Sequence, residues 1–280
     1  MISIIQSNYN NSKLIKTSID SVLNQSYQDF ELIIIDDCST DNSIEVIKSY
    51  SDNRIRLIQN PINKGCGYCR YIGVKQSKGD FITFLDSDDS IEKDYLQNFI
   101  KAQNKYNADI IIQGTKFIFK DKVHLSKFEF SKYIGKKLAL DKNLPEKFKF
   151  LHASLYKASL FKTVDYCKRR YIEDTPTFFK LLYLAKKVIT IPACGYLYNK
   201  TNENSLTTTA NECKNLIFST LSLIDIIEFL NSQKDYQKGT REAFIAKMRE
   251  LDKFIKTEDI LKYKSELGEI LIYFIKNFNF

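Results

Sequence analysis

The sequence predicts an α/β fold built on a mostly parallel central sheet, followed by an irregular region and a C-terminal helical segment. Between Met1 and about Thr115, short apolar runs alternate with amphipathic stretches, the pattern of βαβ units. Two of those runs end abruptly in carboxylates, which places acids at one edge of the sheet. From about Lys116 to Thr209 the pattern turns irregular and rich in aromatic and basic residues. From about Ala210 to Phe280, apolar positions such as Leu216, Leu223, Ile227 and Leu230 recur at helical spacing.

The elements follow in order. The expected strands are Ile2 to Gln6, Glu31 to Ile35, Ile55 to Gln59, Phe81 to Leu85 and Asp109 to Gln113, each a run of apolar, largely β-branched residues. Lys13 to Asn24 should be a helix, with Leu14, Ile15, Ser18, Ile19, Val22 and Leu23 on one face. A second follows Ser39-Thr40-Asp41, whose side chains can cap it, and runs through Ile44 and Ile47. Gly65 and Gly67 open a third that reaches about Ser77, Lys78-Gly79-Asp80 turns the chain into the fourth strand, and another helix begins near Glu92. Short β-like runs at Lys187 to Ile191 and Gly195 to Tyr198 interrupt the irregular region. The expected organisation is a catalytic domain of residues 1–209, split into halves 1–115 and 116–209, and a helical segment of residues 210–280.

Composition narrows the class. With 280 residues the chain can bury a full core, and 42 Lys+Arg against 34 Asp+Glu give a net charge of +8, a weak pointer to anionic partners. Ile2-Ser3-Ile4-Ile5 is too short for a signal-peptide core, and no apolar run approaches the ~20 residues that span a bilayer. The expectation is therefore a cytoplasmic protein. The six cysteines are scattered. Cys66-Gly67-Tyr68-Cys69 has CxxC spacing, but it lacks a second pair at zinc-ribbon distance and reads as packing.

Chemistry concentrates in Phe81-Ile82-Thr83-Phe84-Leu85-Asp86-Ser87-Asp88-Asp89. Three carboxylates within four residues at the end of a buried strand repel one another, and a hard divalent cation, Mn2+ or Mg2+, would relieve that repulsion. The rival reading is a strand-to-helix turn in which one of the acids caps the next helix. Phe30-Glu31-Leu32-Ile33-Ile34-Ile35-Asp36-Asp37 delivers further acids to the same edge, where an acid can accept hydrogen bonds from ribose or base. Helix capping by Asp36, Ser39 or Asp41 is as good an account of those three.

In chain order, Ser3-Ile4-Ile5 to Tyr9-Asn10, Ser21-Val22-Leu23-Asn24-Gln25-Ser26-Tyr27, Phe30-Glu31 through Ser43, Asn63-Lys64-Gly65 and Leu85 to Asp89 resemble the nucleotide-binding half of family 2 inverting glycosyltransferases. Those enzymes have the GT-A fold, with a Rossmann-like sheet. The resemblance implies that Ser7, Tyr9 and Asp37 hold the uracil and ribose of a UDP-sugar, and that Arg70 faces its diphosphate. It implies that Asp86 and Asp88 are the DxD pair, with Asp88 on the metal and Asp86 on ribose, sugar or metal. Arg169-Arg170-Tyr171-Ile172-Glu173-Asp174 resembles the family's ED motif, which makes Asp174 the first choice of catalytic base and Glu173 the second. The rival reading of that pair is charge compensation at a helix N-terminus, where Pro176 fits a first turn.

Phe150-Leu151-His152-Ala153-Ser154-Leu155-Tyr156-Lys157 and Tyr196-Leu197-Tyr198-Asn199-Lys200 through Ser205 match the family more loosely. Tryptophan is absent, so an acceptor platform must come from Tyr or Phe, and Gln6-Ser7-Asn8 stands where a proline is common after the first strand. His152 is a candidate contact to acceptor or phosphate. The Lys- and Arg-rich stretch from Lys132 to Arg170 fits an anionic membrane surface or a phosphate-bearing glycolipid as well as it fits a plain solvated face.

The function implied is metal-dependent transfer of a sugar from a UDP-sugar to a hydroxyl of a growing glycan or lipid-linked saccharide at the inner face of a bacterial membrane. One alternative is a nucleotidyltransferase acting on sugar phosphates, although Ser7 to Ser12 lacks the Gly-rich, basic loop such enzymes use. Another is a non-enzymatic basic binding module, although no nucleic-acid motif is present. For the C-terminal helices, packing on the core, lying on a membrane and forming a homo-oligomer all stay open.

Overall fold

Strand β1 (Ile2–Asn8) lies between β2 (Phe30–Asp36) and β4 (Phe81–Asp86), and pairs in parallel with both. A central parallel strand is covered on both faces, and Ile2, Ile4 and Ile5 are accordingly buried in an uninterrupted apolar run. In this computed structural model the described residues are 1–141, 144, 151–164, 166, 168, 172–202, 212–235, 246 and 263–277. The chain divides into two units, Met1–Asn202 and Glu203–Phe280.

In the first unit, β3 (Ile55–Gln59), β6 (Ile110–Ile112), β9 (Ser131–Tyr133), β10 (Ser154–Lys157) and β11 (Val188–Thr190) complete an eight-stranded sheet of order β3-β2-β1-β4-β10-β6-β11-β9. Only β10 and β9 run antiparallel to their neighbours. A second sheet, of order β5-β12-β7-β8, is formed by β5 (Ser90–Ile91), β7 (Thr115–Ile118), β8 (Val123–Ser126) and β12 (Tyr196–Asn199). All five strands expected before residue 115 are present within two residues of their expected ends.

Helices α1 (Ile15–Leu23), α2 (Ser43–Lys48), α3 (Cys66–Gln76) and α4 (Tyr95–Tyr106) follow β1, β2, β3 and β5. Asp41 accepts the Ser43 amide at 3.0 Å, so the expected cap on α2 comes from the carboxylate. In α3, a Cβ on Gly73 would collide with the side chains of Ile5 and Ile35. Glycine there lets the helix axis settle against the sheet, which fixes the height from which Arg70 reaches the sheet edge. Short α5 (Gly135–Ala139) and α6 (Asp174–Leu184) complete the unit.

The second unit contains α7 (Glu212–Ser232) and α8 (Lys264–Asn277), which pack together, with Phe218 edge-on to Tyr263 at 6.1 Å. Helical structure was expected here. The expectation that no apolar run approaches membrane-spanning length is corrected, because Lys214–Ser232 of α7 is long and apolar enough by composition. Half of that stretch is nevertheless buried within the chain, as in the core helix of a folded unit.

Candidate active site

Parallel pairing aligns three strand ends at one edge, with Ser7 opposite both Ile35 and Asp86, and Asn8 opposite Asp36. Asp36 is fully buried and accepts hydrogen bonds from Asn8 Nδ2 (2.8 Å), the Ser39 amide (2.9 Å) and Ser39 Oγ (2.6 Å). Asp37 accepts from Asn60 Nδ2 (2.8 Å) and from the amides of Lys64 (2.9 Å) and Gly65 (2.6 Å). Gly65 has φ 91°, a region closed to most side chains, and this turn delivers the chain into α3. The two acids thus hold the β2–α2 and β3–α3 loops, and any contact of Asp37 with a nucleoside would use its remaining lone pairs. Tyr9 stands half exposed beside them, and Ser7 Oγ lies 3.1 Å from Cys66 Sγ. Cys66 and Cys69 are free thiols whose pKa values burial pushes up, against any thiolate ligand or redox role.

Arg70 is the centre of the arrangement. Its Nη2 donates to Asp86 Oδ1 at 2.6 Å, and its Nη1 donates to Glu173 Oε1 from a residue 103 positions away in sequence. The rival account of the pair, charge compensation at a helix N-terminus, keeps a place for Asp174 and Pro176 in the first turn of α6, but the Glu173 side chain makes no cap there and turns to the guanidinium. Burial pushes the Glu173 carboxyl up to about 7, with Arg70 pulling it down and Asp174 adding to the rise. Asp174 accepts the Thr175 amide at 2.9 Å and is partly exposed, and burial raises its pKa as well, against the pull of Arg70. Ile172, just before the pair, has φ 53°. A β-branched residue in the left-handed region is strained, and such strain gathers at functional sites.

Beyond β4 the other acids separate. Asp89 is buried, and it accepts from Tyr196 Oη (2.7 Å) and the Asn199 amide (2.8 Å), tying β4 to β12. Asp88 accepts from Asn202 Nδ2 at 2.8 Å, and burial followed by the charge of Asp86 raises its pKa. Among the described residues no group of three or more His, Cys, Asp or Glu is drawn together as a preformed metal cage. Two carboxylates that repel each other at a strand end still suit Mg2+ or Mn2+, which bind through one or two carboxylates and complete their shell with water and phosphate oxygens. The donor set therefore fits such an ion.

Aromatic rings stand where an indole platform is missing. His152 stacks on Tyr196 (4.6 Å between centroids) and meets Tyr198 at 5.5 Å, and Tyr198 meets Phe117 at 5.4 Å. Burial pushes the His152 pKa down to about 4, so near neutral pH its ring is uncharged and can stack or share a hydrogen bond. Ala153 beside it has φ 55°.

Sequence reasoning missed Asn202 on Asp88, and it missed Tyr166, a buried side chain whose hydroxyl has no hydrogen-bond partner among the described residues and lies in the field of Arg70 and Glu173. Tyr166 stands in no patterned stretch, and Asn202 falls inside the loosely matched run from Tyr196 to Ser205 without a residue type that would have named its partner. Of the residues singled out earlier, Phe150, Arg169, Arg170, Tyr171 and Ser205 lie outside the described residues.

Comparison with known proteins agrees with this arrangement. GlyG of Streptococcus pneumoniae, a glycosyltransferase, is 26% identical over 270 residues, covering 85% of this chain and 88% of GlyG. WfgD of Escherichia coli, a UDP-Glc:alpha-D-GlcNAc-diphosphoundecaprenol beta-1,3-glucosyltransferase, is 35% identical over 169 residues, covering 56% of this chain and 67% of WfgD. Other relatives are matched over less of their length, as with an uncharacterized glycosyltransferase of Haemophilus influenzae, 50% identical over 99 residues and 40% covered. In fold, the chain superposes on Staphylococcus aureus TarS 1–349 in complex with UDP-GlcNAc with a TM-score of 0.67 at 20% identity, covering 96% of this chain and 80% of TarS 1–349. That likeness shows the GT-A fold. Residues 3–165, more than half the chain, match the Glycosyl transferase family 2 profile and contain the strand ends, α3 and the carboxylate edge, so the chain belongs to that family and is a glycosyltransferase.

Proposed function

We propose that this enzyme transfers a hexosyl group from a UDP-sugar to a hydroxyl of a growing glycan or lipid-linked saccharide, with inversion and with the aid of a divalent cation. The observation that carries the reading is Arg70, whose guanidinium joins Asp86 of the β4 edge to Glu173 beside α6. A buried guanidinium between two carboxylates is a preorganised counter-charge, ready for negative charge that develops on a departing diphosphate. Support for a UDP-sugar comes from relatives, since WfgD is named for UDP-Glc and TarS is solved with UDP-GlcNAc.

In this reading residues 1–115 bind the donor, with Ser7, Tyr9 and Asp37 on the nucleoside side and Asp86 near ribose or sugar. Residues 116–209 take the acceptor, over the His152, Tyr196 and Tyr198 rings, and residues 210–280 are the segment whose apolar spacing predicts helices. Asp88, with Asp86, would hold Mn2+ or Mg2+, which supplies neutralising charge to the diphosphate. Arg70 adds its own positive charge as the glycosidic bond breaks. Asp174, partly exposed and not engaged by the guanidinium, accepts the proton of the attacking hydroxyl, while Glu173 holds Arg70 in place. Action at the cytoplasmic face of the membrane follows from a lipid-linked acceptor of the kind WfgD is named for.

The test is donor hydrolysis with UDP-GlcNAc and UDP-Glc, with and without Mn2+. Wild type should turn over one of them only with metal. Asp88→Ala should lose turnover by ~100-fold or more while keeping the wild-type circular dichroism spectrum. Hydrolysis that is metal-independent, or intact in Asp88→Ala, would sink the proposal.

A further inference from the structure

The chain from Lys116 to Lys137 carries seven lysines against two acids and contributes an outermost strand to each sheet, β8 to the smaller and β9 to the larger. Lysines alone have a simple account, since they keep exposed sheet edges from pairing with other chains. That account predicts polar companions, and the segment has apolar ones. Of the nine large hydrophobic or tyrosine side chains exposed among the described residues, five lie here: Phe119, Val123, Leu125, Phe130 and Ile134.

Val123 and Leu125 are 55% and 43% exposed and share one face of β8, opposite Ile118 and Lys116 of β7. The other face of the hairpin carries Phe117, tilted against the exposed His124 at 6.2 Å, and leads toward the catalytic edge because Phe117 meets Tyr198 at 5.4 Å and Tyr198 meets His152 at 5.5 Å. Lysine ammonium groups lie over the exposed rings, Lys122 over Phe119 (5.5 Å) and Lys132 over Phe130 (5.9 Å). Apolar tips ringed by ammonium groups match the boundary of an anionic bilayer, where hydrocarbon meets phosphate.

We infer that the Lys116–Lys137 segment, centred on the β7–β8 hairpin, is a docking surface for an anionic lipid bilayer. The proposal rests on the function above only for the acceptor. If that is lipid-linked, docking through the outer face of the hairpin presents it beside the His152 and Tyr198 rings on the inner side.

Sedimentation of the full chain with vesicles of phosphatidylcholine alone, or of phosphatidylcholine with phosphatidylglycerol, tests this independently of catalysis. Wild type should pellet with the mixed vesicles, not with phosphatidylcholine alone, and added salt should release it. Phe119→Ser/Val123→Ser/Leu125→Ser and, separately, Lys120→Glu/Lys122→Glu/Lys127→Glu should each weaken vesicle binding, the second by on the order of 100-fold or more. UDP binding, measured in solution, should be unchanged in both. No pelleting by wild type, equal pelleting with both vesicle types, or variants that pellet like wild type would each overturn the inference. So would a variant that loses a self-associated form in analytical ultracentrifugation without losing vesicle binding, which would assign the face to a second copy of the chain. If docking holds while donor hydrolysis fails its test, the error lies in the proposed function and not here.

Discussion

At the scale of single residues, Arg70 is placed by three independent features: Gly73, which lowers α3 onto the sheet, and the two carboxylates that receive its Nη1 and Nη2. Its side chain is only 10% exposed and that of Glu173 only 6%, so removing the guanidinium strands a buried carboxylate. Arg70→Ala should therefore destabilise the fold by about 3–5 kcal/mol, read as a lower urea midpoint. Arg70→Lys keeps the charge but replaces a planar fork by a point charge that cannot hold both partners in the same geometry. Donor hydrolysis in Arg70→Lys should fall ~100-fold with most of the stability retained. A lysine variant with wild-type turnover would show that charge alone suffices and that the Asp86–Arg70–Glu173 bridge has no catalytic part.

At the scale of elements, the long parallel strands were legible because burial on both faces leaves an apolar run that ends where water begins. That is why Asp86 to Asp89 and Asp36 could be put on one edge from the sequence alone. The short strands β5, β7, β8, β9 and β10 were not assigned, because two to four residues are too few to show a period and their place is set by partners distant in sequence. Backbone strain was equally invisible, since neither Ala153 nor Ile172 is a residue type that announces a positive φ.

That strain has a testable consequence. Ala153, φ 55°, sits between His152 and β10, and only the left-handed conformation sets the His152 ring against Tyr196 while the chain enters the sheet. Ala153→Gly releases strain of about 1 kcal/mol and adds comparable freedom to the unfolded chain, so thermal stability should stay within ~1 kcal/mol of wild type. Because His152 is then less firmly aimed, transfer to an acceptor should fall while UDP affinity holds. Equal loss of both would mean that Ala153 serves the fold rather than the platform.

At the scale of the whole molecule, the catalytic edge gathers carboxylates whose ionisation the fold resists. Asp88, Asp89, Glu173 and Asp174 all have pKa values raised by burial, with neighbouring acids adding to the rise, and Glu173 reaches about 7. A carboxyl whose folded pKa lies above its unfolded value stabilises the fold below that unfolded value, and the contribution is lost as pH rises through the folded one. The carboxylates held below their ordinary range, Asp20, Asp41, Asp52 and Asp109, act in the opposite sense, but their window lies beneath the ordinary aspartate value of 3.8. His152, pushed down from 6.5 to about 4, also works against the raised carboxyls by adding stability as pH rises toward 6.5, but it is one group against four. Between about pH 4.5 and about 7 the raised carboxyls should therefore decide the slope, and the ligand-free enzyme should melt at a higher temperature at about pH 5 than at about pH 7.5. Glu173→Gln removes one titrating group and should flatten that slope. Mn2+ with UDP should raise the melting temperature more at about pH 7.5 than at about pH 5, because binding cations at these acids competes with protons. Differential scanning fluorimetry across this range checks all three. A wild-type melting temperature that climbs with pH, or a Glu173→Gln slope equal to wild type, would show that these acids ionise without penalty and that the edge is not the strained anionic site described here.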